Sequence, residues 1–562
     1  MNTLKIKNLS TVVLLAVAAA SCNFLDFDET SGLKSKEDMY QYFNSIEQML
    51  TNVYSYMPNE LTAETFRDCG SDDAEHGNTS SVFQYFNNGS WSALNTVDDS
   101  WSLYKGIRAA NSFIKEIDGV DLSRYRHNAS YGNWMKKLAF FPYEARLLRA
   151  NFFFELARRY GGIAMPLEVL DAEGANSIPK TSFHEVIRFI VSECDECAEM
   201  LPVTYADQPD AQIGRMTRGF AMALKSKALL YAASPLHNTS ADRELWKESA
   251  AAALKLIESG IYSLDSGDCA NSIDSPEVVM VVIGGDSRTF ELKNFPIRFT
   301  EGRRTAPDGI FPSQNLVDAF QTANGYSVTL EKTGWVCEDP EFDAADPYRN
   351  RDPRFYRAVL ADGMDFKGKR IAVYEGGADN AEVSAGGSPT GYFLRRYIRE
   401  NTSFTPGQDI TGKHHWIVYR YAETLLTYAE SMANAFPEDM SHTDSQFPYS
   451  AIWAINQVRT NAGMPVIPPC TYDEFIRHLR NEWRVEFAFE DHRFWDIRRW
   501  LIGDQTQREL YGVRVVMNED GTRSFHKHMY ETRKWNDRMY LYPVPQGELY
   551  KNPNLNPQNQ GW

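Results

Sequence analysis

The stretch FEDHRFWDIRRW, from Phe489 to Trp500, crowds acids, bases and large rings into one short run. Such a run is an active site, a binding surface or a structural lock, and the choice decides the fold. On a helix, neighbouring residues point to different sides. The Asp491–Trp495 and Asp496–Trp500 spacings bring groups four apart into contact range. Just upstream, Glu482, Glu486 and Glu490 recur every four residues, with Arg480 and Arg484 interleaved. A glycosidase needs two carboxylates facing each other across a cleft, not a row. A row with arginines between its members reads as an ion-paired helix face. The stretch is therefore read as helical framework rather than as a reaction centre.

Working outward, the same helical logic recurs. Lys36–Met57 reads as a first helix and Asp98–Ile117 as another. In FPYEARLLRANFFFELARRYGG, Pro142 suits a first helical turn, Ala145, Leu148, Phe152 and Leu156 form a stripe, and Gly161 and Gly162 end it. TRGFAMALKSKALLYAASP has Thr217 as its N-cap and Pro235 as its stop, and WKESAAAALKLIESG buries Trp246, Ala250, Ala253, Leu254 and Ile257 on one face. These two helices read as an antiparallel pair of tetratricopeptide type. The expected fold is mainly α: a tetratricopeptide-like helical scaffold at about 36–260 and 414–502, with a loop-rich, irregular ligand-binding half at about 275–413. Few short strands are expected there, EVVMVVIGG being one. No Pro/Gly/Ser linker divides the 562 residues, so residues 22–562 are read as one domain.

The formal charge of −17 repels phosphate backbones and argues against a nucleic-acid partner. The N-terminus reads as an export signal: Lys5 and Lys7, an apolar run from Thr11 to Ala20, then Ala19, Ala20 and Ser21 directly before Cys22. The run is too short to stay in a bilayer as a spanning helix. It resembles a bacterial lipoprotein signal (residues 1–21), in which Cys22 is lipidated after cleavage; Ala19 stands where Leu is usual. Asp26, Asp28 and Glu29 resemble the surface-export signal of Bacteroidetes lipoproteins. The remaining cysteines are Cys69, Cys194, Cys197, Cys269, Cys337 and Cys470. The single C-D-E-C lies inside a helical pattern and has no second pair, so zinc is not expected. Export permits disulfides, the spacings do not say which, and small buried thiols are the favoured reading.

Taken together, the segments resemble the SusD/RagB family of Bacteroidetes outer-membrane lipoproteins. The resemblance rests on DDSWSLYKGIRAANSFIKEID (Asp98–Asp118), EARLLRANFFFELARRYGGIAMP (Glu144–Pro166), GRMTRGFAMALKSKALLYAASPLHN (Gly214–Asn238), RYAETLLTYAES (Arg420–Ser431), AINQVRTNAGMP (Ala454–Pro465), the opening stretch, and LYPVPQGELYKNPNLNPQNQGW (Leu541–Trp562). Asp491 departs from a frequent Gly, and Gln560 from a frequent Pro. The resemblance implies an anchored lipoprotein that sits as a hinged lid on a SusC-like TonB-dependent transporter. It captures a nutrient glycan without cofactor or catalysis. A peptide-binding lid of the same type and a secreted glycoside hydrolase are the alternatives.

Sugars offer flat CH-rich faces and a rim of hydroxyls, which call for exposed Trp or Tyr platforms beside Asp, Asn or Arg. The loop FRDCGSDDAEHGNTSSVFQYFNNGSWSALN supplies Trp91 as the expected platform, Asp73 and Asn88 as hydroxyl partners, and Tyr85 and His76 nearby. The insertion adds Arg298 and Phe299, then Tyr326 and Trp335. Trp101 and Tyr104 lie on a helical stripe and read as core. His414 and His415 are adjacent, point different ways and lack a third ligand, so no metal is expected. Scattered loop aspartates form no EF-hand, and no G-x-S-x-G, H-E-x-x-H or P-loop is present.

Overall fold

The structure is a computed structural model that describes residues 36–63, 67–206, 212–384 and 386–562. The export signal, Cys22 and the acidic run after it lie outside the described residues. The main helices are α1 (Phe43–Tyr54), α2 (Leu103–Ile117), α3 (Tyr131–Tyr160), α4 (Phe183–Met200), α5 (Arg218–Ala233), α6 (Arg243–Glu258), α7 (Tyr421–Ala435), α8 (Ala451–Asn461), α9 (Tyr472–Glu486) and α10 (Arg493–Arg499). Each of α2 to α8 packs on the helix before it, so hairpin stacks on hairpin and the scaffold is helical-repeat in kind. The chain leaves the scaffold after α6 and returns in α7, which packs directly on α6.

Local chemistry explains these helices. Ser182 caps α4 in a reciprocal capping box with Glu185, and Thr471 does the same for α9 with Glu474. Thr217 accepts from the Phe220 N–H to start α5. Alanines on α5, α6 and α7 (Ala233, Ala250, Ala253, Ala422, Ala429) are buried and let the backbones approach closely.

The sequence reading needs several corrections. The first helix is broken: Lys36–Met39 is separate from α1. α2 begins at Leu103, not Asp98. α3 runs for 30 residues with Pro142 inside it. A proline within a helix forfeits one N–H bond, but the burial of nearly every residue from Glu144 to Tyr160 outweighs that loss. The second scaffold block opens with a strand rather than a helix.

The strands used below are β1 (Ala74–His76), β2 (Val278–Ser287), β3 (Ile310–Pro312), β4 (Val328–Glu331), β5 (Gly334–Cys337), β6 (Gly412–Arg420), β7 (Glu509–Met517) and β8 (Arg523–Thr532). Every sheet among the described residues is an antiparallel pair. β2 pairs with β6 across the whole insertion, Trp416 opposite Val282, and closes its base. β1 pairs with β3, which ties the first long loop to the insertion. All six cysteines among the described residues are thiols, four of them buried. No helix among the described residues is long and apolar enough to cross a membrane.

The opening stretch is the clasp between these parts, though not one continuous helix. α9 ends at Glu486, and Phe489 and Asp491 both take φ +63°, which breaks the helix before α10. The Asp491 carboxylate accepts from Arg67 Nη1 at 2.8 Å, Arg158 Nη2 at 3.3 Å and the Trp495 indole at 3.0 Å. Arg493 grips Asp72 through two 2.8 Å bonds. Arg499 and the Trp500 indole both reach Glu430 on α7. The glutamate row is ion-paired too, but across elements rather than along α9. Glu482 meets Arg354 and Arg459, Glu486 meets Arg354 and Arg420, and Glu490 meets Arg396 and Arg420. Arg484 turns instead to Asp72 and Asp73.

Candidate ligand-binding site

The expected site residues separate into buried and accessible groups. Trp91 is 1 % exposed, so it presents no ring to solvent. It sits edge-on to Phe86, Tyr542 and Trp562 at 4.7, 4.7 and 4.8 Å. The platform assignment is corrected: two of its three neighbours come from the C-terminal segment. Asp73 is fully buried, and its Oδ1 accepts from Arg484 Nε at 2.6 Å, so it locks the loop to α9 rather than meeting a hydroxyl. Burial opposes ionisation of the adjacent Asp72, yet Arg484 and Arg493 more than offset it and hold that carboxyl down at about 2. Phe299 is buried against Phe366, and Arg298 lies over its ring while pairing with Asp379 at 2.9 Å.

The others keep some surface. Tyr326 is 42 % exposed at the approach to the β4–β5 hairpin. Trp335, on β5, is half-buried against Tyr348 and Phe525. Tyr85 is half-buried, and Asn88 is exposed with its Oδ1 accepting from the Ser90 N–H and hydroxyl. Nothing in the geometry gathers these four around one cavity.

A cavity of about 160 Å³ does form where the first loop meets the insertion. His76, Phe290, Lys293, Ser287, Thr289 and His414 line it, with Gly284 and Gly285 leaving bare backbone along one wall. The β1–β3 ladder places His76 opposite Ile310. The next turn needs Gly309: at φ +86° a Cβ there would meet the Lys293 carbonyl at 2.2 Å. Asn294 fastens the floor, donating to the Phe290 carbonyl and accepting from the Ile310 N–H, each at 2.9 Å. Asp308 stands between the two side chains, 3.7 Å from His76 Nε2 and 3.9 Å from Lys293 Nζ.

His414 enters through a strand irregularity. The β6–β2 register shifts between Lys413 and His415, where Gly284 and Gly285 of β2 face His414 alone, so the extra residue lies on β2; both histidines are buried. His414 Nε2 lies 2.9 Å from Glu291 Oε1, and its ring is edge-on to Phe290 at 5.5 Å. The His415 ring nitrogen meets the Cys269 carbonyl at 3.1 Å. The cavity thus offers hydroxyl, ammonium and imidazole groups, exposed backbone and one aromatic edge. Sequence reading singled out His76 only as a loop member and missed Phe290 and Lys293. Their role depends on a pairing between segments more than 200 residues apart in the chain, roughly.

Helical hairpins stacked into one scaffold, with a small, mostly apolar cavity carrying a few polar groups between inserted loops, define a helical-repeat protein with a candidate binding site. Residues 287–562 match the family described as the SusD family, and residues 23–230 match the one described as starch-binding, associating with outer membrane. The chain belongs to the SusD/RagB family of carbohydrate-binding proteins. It is 25 % identical over 430 residues to SusD-like protein P2 of Formosa agariphila, covering 75 % of this chain and 73 % of that one. A SusD-like protein of Bacteroides fragilis superposes with a TM-score of 0.74 at 26 % identity, over 94 % of this chain and 99 % of its own. A laminarin-binding SusD-like protein shares the fold at TM-score 0.57 and 19 % identity, over 92 % and 99 %.

Proposed function

We propose that the protein is a cell-surface glycan-binding lipoprotein, anchored in the outer membrane through lipid on Cys22, that passes oligosaccharide to a SusC-like TonB-dependent transporter without altering it. The observation that carries the glycan reading is the cavity built by His76, Phe290, Lys293 and His414 at the junction of loop and insertion. Fixed polar groups around a small hollow suit a hydroxylated ring, and the rigid β1–β3 and β2–β6 pairings hold them in place. Tyr326, Trp335, Tyr85, Asn88 and Arg298 keep surface on the loops and would serve a longer chain outside the cavity. The hydrolase alternative loses its acids, because Glu482, Glu486 and Glu490 are each committed to two arginines.

Affinity electrophoresis against a polysaccharide panel tests the reading. Retardation by at least one glycan is expected. His76→Ala should weaken it about tenfold, the scale of one lost hydrogen bond to a charged or polar partner. Peptide binding with no retardation by any glycan would replace this reading by the peptide-lid alternative.

A further inference from the structure

A second cavity, of about 210 Å³, opens on the helical scaffold between α2, the segment after α3 and the C-terminal segment. It shares no lining residue with the first. Its floor is aromatic. Trp101 and Tyr104 are half-buried, with ring centroids 5.0 Å apart and planes tilted by 57°, so they form a corner rather than a flat stack. Tyr160 braces Trp101 edge-on from behind at 5.3 Å.

The walls are pinned. The Tyr104 hydroxyl donates to the Ala164 carbonyl at 3.1 Å, and burial raises its pKa well beyond the ordinary phenol range. Asn111 Nδ2 donates to the carbonyls of Pro166 and Glu168. On the far side Asn552 Nδ2 donates to the Ile178 carbonyl at 2.9 Å, and Asn554 Nδ2 to that of Ser177 at 2.7 Å. The C-terminal segment is thereby clamped as the third wall. The hollow is preformed and does not require closure of a lid.

The rim sets the chemistry. Glu168, Asn176 and Glu548 stand at the cavity, and Arg108, the one cation lining it, donates to the Leu170 carbonyl. With Lys551 paired to Glu548 at 2.8 Å and Arg108 committed to the Leu170 carbonyl, the rim's charges roughly balance, which suits a neutral ligand. An aromatic corner beneath amide and carboxylate acceptors suits a ring with one CH-rich face and several hydroxyl donors. The volume is small beside the ~300–1,000 Å³ of clefts that enclose drug-sized ligands, so it fits one ring rather than a chain.

We propose that the corner formed by Trp101 and Tyr104 is a second binding site, for a single neutral hexopyranose unit of a glycan. This would give the protein two separated holds on one polysaccharide. Two holds joined by the same chain raise avidity without further contacts.

The proposal is independent of the first cavity and is tested apart from it. The full chain, wild type and Ala175→Trp, is titrated calorimetrically with laminaribiose, cellobiose and mannobiose. Ala175 is exposed and lines the hollow, so Ala175→Trp fills it without removing a core contact. At least one disaccharide should bind wild type and lose tenfold or more in affinity with Ala175→Trp. Trp101→Phe, which keeps the floor but narrows it, should fall between. The proposal is overturned if no disaccharide binds wild type, or if Ala175→Trp, folded by circular dichroism, binds all three as wild type does. Failure of the first-cavity reading is separate: it shows as polysaccharide retardation that His76→Ala leaves unchanged.

Discussion

At φ +63°, Asp491 occupies the left-handed backbone region, where Gly is easiest and Asp or Asn is next best tolerated. That accounts for the tolerance of an aspartate at this position. It also adds a carboxylate that glycine lacks, and Arg67, Arg158 and Trp495 all use it. Asp491→Ala should therefore cost about 3–5 kcal/mol, the range for breaking a buried pair and stranding its partner. Asp491→Asn keeps the backbone tolerance and an acceptor oxygen, and should cost clearly less. Urea midpoints of the two variants check the order; equal losses would mean that charge alone matters. Glu75 shows the opposite electrostatic sign. Burial pushes its carboxyl up to about 7, Arg533 pulls it back, and neighbouring Glu531 pushes it further. An acid with a raised folded pKa stabilises below its unfolded value near ~4.3 and loses that contribution as pH rises through the folded value. Its contribution should thus decline from pH ~5 to ~7.5, and Glu75→Gln should remove that part of the pH dependence.

Among the elements, the β7–β8 hairpin acts on the first loop through Arg533. Its guanidinium donates to the carbonyls of Cys69, Ser71 and Ala74 and pairs with Glu75 at 2.9 Å. The base of the loop that delivers His76 is therefore held by a residue from the far end of the chain. Arg533→Ala should speed amide hydrogen exchange in residues 68–76 by at least tenfold while leaving α5 and α6 protected. Unchanged exchange would show that β1–β3 pairing alone holds the loop. The same dependence explains what was legible in the sequence. The stripes of α3, α5 and α6 were readable because 3.6-residue periodicity is local. The start of α3 was misread because Pro142 looks like a first turn until the burial around it is known. Trp91 and Asp73 were misread as ligand contacts for one shared reason. Their burial is decided by Tyr542, Trp562 and Arg484, which no loop composition reveals. Trp101 and Tyr104 were read as core and do pack against it, but each also keeps one face on a cavity.

Across the whole molecule, the scaffold, the first loop and the insertion are joined largely through buried arginine–carboxylate contacts, which salt screens weakly. Several of these acids titrate far below their ordinary range. Burial opposes ionisation in each case, and nearby cations win: Arg484 and Arg493 at Asp72, Lys227 at Glu423, Arg420 and Arg354 at Glu486, each held at about 2. A carboxyl whose folded pKa is depressed contributes stability above its unfolded value of ~3.9–4.3 and loses it as pH falls toward the folded value. The acid side of the profile should therefore drop steeply between pH ~4 and ~2. On the neutral side the signs oppose: Glu75 at about 7 and Asp318 at about 6, both raised chiefly by burial, favour the folded state while protonated, whereas His237, held down at about 3 by burial, favours it while neutral, so that limb should be shallower than the acid one. Adding 0.5 M salt should leave the acid limb nearly in place, since the Debye length shortens to only about 4 Å and the paired atoms lie closer than that. A midpoint that holds steady as pH falls from 4 to 2, or a chain still folded at pH 2, would show that the buried pairs do not govern its stability.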